Sequence, residues 1–78
     1  MKQHLYKMLV TSAEADKSKA LLSLEILSNN AVGIGDHSTG DFYKNAEEAL
    51  AMLVDADDRL GALNKYFNKN TNKEILNG

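Results

Sequence analysis

Placed at 100° per residue, the apolar side chains of two long stretches gather into arcs and do not alternate. In residues 13–30, AEADKSKALLSLEILSNN, an arc of about 120° holds Ala20, Leu21, Leu24 and Leu27, and Leu22 with Ile26 forms a separate stripe past Glu25. In the second stretch Phe42, Ala49, Leu53, Ala56, Leu60, Leu63 and Phe67 fall together, while Tyr43, Leu50, Val54 and Gly61 widen the arc to roughly 200°. Glu47, Glu48, Asp55, Asp58 and Lys65 mark the opposite, solvated face. Two helices are predicted, over about 12–30 and about 39–67.

Their ends carry local signals. Thr11 and Ser12, with Glu14 three residues after Thr11, form a candidate capping box, and Asn29 and Asn30 tolerate the turn geometry that ends a helix. Ser38 is placed to cap the second helix, with Asp41 in the box position near the positive end of the dipole. Between them lies the glycine loop 31–38. The N-terminal HLYKMLV reads better as a short helix than as a strand, because Leu5, Met8 and Leu9 share a helical face. The polar tail 68–78 is Asn-rich, with Ile75 and Leu76 as a last apolar patch. The expected fold is all-α: one domain, 1–78, built as an antiparallel helical hairpin with a short N-terminal segment.

One partner helix covers an arc of only about 100°, so a hairpin leaves apolar surface over on both helices. The economical solution is a symmetric homo-oligomer. Composition points the same way. A 78-residue chain without cysteine has neither disulfides nor thiolate metal sites to reinforce a small core. Ala46, Ala49, Ala56 and Gly61 would permit close helix approach; high helix propensity explains the alanines equally well but not Gly61. Asp57 and Asn64 fall inside the apolar arc of the second helix and Lys17 inside that of the first. In an antiparallel hairpin Lys17 and Asp57 come within about a turn of each other, as a buried ion pair that fixes register.

The formal net charge of −2 argues against binding a DNA duplex, which requires a basic face. No apolar run approaches the roughly 18 residues of a membrane span, and no signal-peptide pattern opens the chain, so a soluble intracellular protein is expected.

Candidate chemistry is confined to one segment, Gly33-Ile34-Gly35-Asp36-His37-Ser38-Thr39. Glycines let backbone N–H groups converge, and a helix N-terminus adds a positive dipole end, together an anion site. Ser38 and Thr39 add hydroxyl donors, His37 and Lys44 positive charge, and Tyr43 a ring for stacking. The same residues also make sense as a tight turn, with glycines supplying positive φ and Asp36 and Ser38 capping the next helix. Neither a dinucleotide fingerprint nor a phosphate-binding Gly-Lys-Ser/Thr ending is present. Asp36 and His37 are adjacent, and His4 is the only other imidazole, so no metal site is assigned. Ser38 beside His37 lacks a positioned base and oxyanion donors, so no catalytic residue and no cofactor is assigned.

The stretch SLEILSNNAVGIGDHSTGDF, above all Asn29-Asn30 followed by Gly33-Ile34-Gly35-Asp36-His37, resembles a group of very short helical-hairpin proteins common in tailed bacteriophages. Those proteins often carry an Asn-Asn-Pro, Gly-Ile-Gly-Asp-His turn between Leu- and Ala-rich helices; here Ala31 stands where the proline is commonly seen. The resemblance covers roughly residues 20–67. In size, acidity and helical-hairpin build the chain is also similar to the phage sponge proteins that defeat CBASS and Thoeris defence. That likeness implies a non-catalytic oligomer in the cytoplasm of an infected bacterium, holding a cyclic oligonucleotide or a cyclic ADP-ribose-type signal between subunits. Gly33, Gly35, Asp36, His37, Ser38, Thr39, Tyr43 and Lys44 would then line the ligand site. The competing expectation is a helical protein–protein interaction module, inhibiting a host protein or serving as a phage accessory or structural component, in which the loop is only a turn.

Overall fold

A computed structural model describes residues 1–30 and 39–68 of the chain. It consists of two helices, α1 (Gln3–Asn30) and α2 (Thr39–Phe67), packed side by side as a hairpin, with no strand among the described residues. The all-α expectation holds. At 1.5 Å per residue each helix is about 42 Å long.

The range of α2 coincides with the expected one; that of α1 does not. Helix α1 starts at Gln3, and its first turn closes with the Tyr6 N–H donating to the Lys2 carbonyl at 3.0 Å. The N-terminal segment is therefore not a separate element. Thr11, Ser12 and Glu14 are exposed residues in the middle of α1, and their capping box is unused. Neither glycine nor proline interrupts residues 1–30, so nothing in the chain stops the helix at Thr11.

The longer α1 reveals a register that the shorter one hides. The residues that α1 turns toward its partner recur every seven positions, as Tyr6, Ala13, Ala20 and Leu27. On α2 the corresponding series is Phe42, Ala49, Ala56 and Leu63. Ala13, Ala20 and Ala56 are fully buried, and Ala49 and Leu63 nearly so. Val10, Leu24, Ala46, Leu53 and Leu60 fill the intervening positions at intermediate exposure. This is a coiled-coil seam with alanine at its centre, where the small side chains let two helices approach closely.

Close approach has a consequence at the seam's edges. No large side chain among the described residues is fully buried. Phe42 is only half-buried and Phe67 is 41% exposed, so the two rings expected in the core straddle its margin. Leu21 (48%), Leu22, Ile26, Leu50, Met52 and Val54 are likewise exposed. Gly61 does not lie in the seam: it is exposed, and a Cβ built there meets nothing within 4 Å.

Two substitutions separate these environments. Ala56→Leu forces the helices apart at a fully buried position and is expected to destabilise the fold by about 1–3 kcal/mol. Gly61→Ala adds a methyl group in open space and removes a helix-interior glycine, so it is expected to stabilise by about 0.5–1 kcal/mol. Urea unfolding followed by circular dichroism measures both, and a destabilised Gly61→Ala protein would show that another surface approaches there.

Candidate functional site

The candidate ligand loop and the described structure overlap only at their border. Gly33, Gly35, Asp36, His37 and Ser38 lie outside the described residues, as does the side chain of Thr39. The same holds for the tail from Lys69 on, with Ile75 and Leu76. Tyr43 and Lys44 stand in the first turns of α2, both exposed, Tyr43 at 60%. The Tyr43 ring contacts Phe42 edge-on, with centroids 5.9 Å apart. Asp41 lies in the first turn beside them, where the helix dipole favours a carboxylate.

Along the hairpin, charged side chains bind the two helices together on both flanks of the seam. On one flank Lys17 Nζ meets Asp57 Oδ1 at 3.1 Å, joining the two residues expected to pair. The pair is not buried, since the side chains are 42% and 57% exposed. Asn64 is exposed as well, and its Oδ1 accepts a hydrogen bond from Asn68 Nδ2 at 2.9 Å. The apolar arc deduced for α2 was too wide by the flank that carries Asp57 and Asn64.

The other flank carries a network that the sequence reading missed. Arg59 Nη2 donates to Asp16 Oδ2 at 2.7 Å across the helices, and its Nε donates to Asp55 Oδ2 at 2.9 Å one turn back on α2. The hydrogen bond to Asp16 leads the effects that raise the Arg59 pKa, which burial opposes and both nearby carboxylates reinforce. Its guanidinium therefore stays charged wherever the hairpin is folded. Asp55 and Arg59 are spaced i, i+4 and were legible as a pair on one face; the packing of α1 against α2 puts Asp16 opposite them.

Two shallow grooves open on this same flank. Toward the loop end, Ser23, Ile26 and Leu27 of α1 and Asn45, Glu48, Ala49 and Met52 of α2 line a space of about 340 Å³. Toward the open end, Leu9 and Ser12 of α1 and Ala62, Leu63 and Phe67 of α2 line one of about 240 Å³, which Arg59 borders. Neither groove concentrates titratable groups as an enzyme site does. Among the described residues no group of three His, Cys, Asp or Glu side chains is placed to hold a metal ion, and no helix is long and apolar enough to cross a membrane.

No protein-family model matches the chain, and neither a curated protein nor a solved structure matches it.

The Lys17–Asp57 contact can be tested by reversal. Lys17→Glu places like charges across the seam and is expected to lower stability by roughly 0.2–1 kcal/mol, as for an exposed pair. Adding Asp57→Lys is expected to restore most of that loss. Thermal unfolding of the two single variants and the double variant checks it; additive losses would mean that the ion pair contributes nothing.

Proposed function

We propose that the chain is a non-catalytic helical interaction module that works as a homo-oligomer, its outward apolar residues forming the contacts. One observation carries this reading: large apolar side chains are exposed on both helices, while the buried residues among those described are four alanines and a leucine. A fully buried leucine- or phenylalanine-sized side chain stabilises a fold by about 1.5–3 kcal/mol, and no such residue is fully buried among those described. An alanine seam gives a defined geometry but little apolar area. The further area that a domain of this size needs is supplied by contact with other chains. Substrate turnover has no place in this reading.

A second reading is favoured by the exposure of Tyr43 next to Lys44. In it the assembled module also holds a cyclic oligonucleotide or a cyclic ADP-ribose-type molecule between subunits. Tyr43 stacks on a base, Lys44 supplies charge, and the segment with Gly33, Gly35, Asp36, His37, Ser38 and Thr39 contacts phosphates. This accords with the resemblance to phage hairpin proteins and would place the activity in the cytoplasm of an infected bacterium.

The two readings are separable. Sedimentation equilibrium at micromolar concentration is expected to give a mass of at least two chains; a folded monomer overturns the oligomeric module and the pockets between subunits with it. Thermal shift against cyclic di- and trinucleotides and ADP-ribose isomers tests the second reading. A bound ligand at 100 times its dissociation constant stabilises by about 2.7 kcal/mol. Gly35→Ala and His37→Ala are expected to abolish that shift with helicity unchanged. Absence of any shift leaves the module alone.

A further inference from the structure

Resting on the oligomeric reading, we infer that the flank bearing the Asp16–Arg59–Asp55 network is the self-association surface, where a second copy of this chain seats antiparallel to form a four-helix bundle.

Exposed apolar surface is the first argument. On this flank Ile26 is 50%, Met52 42% and Phe67 41% exposed, and among the described residues the hairpin's own seam fully buries no large side chain. A second copy supplies the cover that such a surface needs.

Self-complementarity is the second. The two grooves occupy the loop-end and open-end halves of one flank, and the charged network crosses the flank between them. A twofold axis crossing the helices at that level turns each apolar half onto the other, so that the Ile26 and Met52 half of one copy meets the Leu9 and Phe67 half of its partner. Such a surface is isologous, the same patch serving both subunits.

Charge complementarity fixes the level. Lys17 pairs with Asp57, so the middle of α1 near residue 17 lies beside the middle of α2 near residue 57. Asp16 and Lys19 are three apart on one face of α1, and Asp55 and Arg59 are four apart on one face of α2. Rotation about the common level places Asp16 opposite the partner's Lys19, and Asp55 opposite the partner's Arg59. Among the described residues Arg59 uses its Nε and one Nη2 hydrogen, and its remaining N–H groups are donors for the partner's Asp55. Ser12 lines one half-groove and Ser23 the other, at equal distances in sequence from the axis, so each meets the other across the interface.

The opposite flank is the alternative surface, where Leu21, Leu50 and Val54 stand beside the Lys17–Asp57 pair.

The test uses the full-length protein. Ile26→Lys and Met52→Lys are expected to raise the dimer dissociation constant about a hundredfold by sedimentation equilibrium, because a lysine is forced into apolar surface. Leu50→Lys and Val54→Lys, on the other flank, are expected to leave it within about threefold. The reverse ranking overturns the inference while leaving the oligomeric reading intact; a folded wild-type monomer overturns both. Since a groove variant can lose its fold with its partner, an oxidative cross-link on the otherwise cysteine-free chain provides a second readout. Ser12→Cys mixed with Ser23→Cys is expected to give a disulfide-linked heterodimer in several-fold greater yield than either variant alone. Equal yields from single and mixed samples overturn the antiparallel seating.

Discussion

Alanine at the two central positions of each helix's seven-residue series is the constraint from which the rest of the hairpin follows. Ala13 and Ala20 on α1 and Ala49 and Ala56 on α2 line the seam, and none presents more than a methyl group to the other helix. The axes can then close toward the short end of the usual 8–10 Å separation. Larger residues at the neighbouring positions no longer fit between the helices and are pushed to the edges, where Leu9, Leu24, Leu53 and Leu60 stay half-exposed. Tight packing and incomplete burial have one cause here. A seam of leucines would have buried more area and left narrower flanks, at the expense of the close contact.

The same alanines make the seam ambiguous along its length. Sliding one helix by seven residues would again set small against small, so apolar packing alone discriminates poorly among registers. The charges remove that ambiguity. Moved one heptad either way, Asp16 would face Met52 or Tyr66 instead of Arg59, and Lys17 would face Leu50 or Asn64 instead of Asp57. Each of these pairs is exposed enough to contribute little stability in place. Their larger effect is on the alternatives, in which both are lost together and a carboxylate or an ammonium lies against apolar surface.

The architecture and the whole of α2 were legible in the sequence because α2 has a clean apolar arc and a glycine-bearing segment before it. Lys17 and Asp57 could be paired because both fall inside the apolar arcs, which an antiparallel hairpin turns toward each other to within about a turn. What escaped is instructive. Thr11 and Ser12 form good capping chemistry, but a cap signals a helix start only where the preceding residues are not helical, and here nothing breaks the helix before them. Starting α1 too late cut off Tyr6 and left Ala13 at the very start of the expected helix, which hid the seven-residue repeat that makes Ala20 a seam residue and Leu21 an exposed one. Asp16 and Arg59, outside both apolar arcs, went unnoticed as partners. Burial was misjudged at Asp57, Asn64 and Gly61 because a wheel assigns faces at 100° per residue without showing how narrow an alanine contact is. The glycine segment could be read for chemistry alone, because its conformation is not encoded in any periodicity.

The surfaces available to this chain are separated in space, and this bears on how its roles relate. The grooves and the Arg59 network lie along one flank, while Tyr43 and Lys44 stand at the loop end, near the start of α2. Tyr43 is spaced seven residues from Leu50 and so lies on the flank of Leu50 and Val54, away from Met52. Association through the grooved flank leaves that ring uncovered. Antiparallel seating also sends the two loop ends to opposite ends of the bundle, about a helix length apart. A small cyclic ligand would then meet one loop end at a time, together with whichever part of the partner's open end lies beside it. Capture between two loops would instead require a higher assembly in which bundles meet end to end or along the Leu50 flank. The number of chains and the composition of any pocket are thus one geometric question, set by which flank the second copy covers.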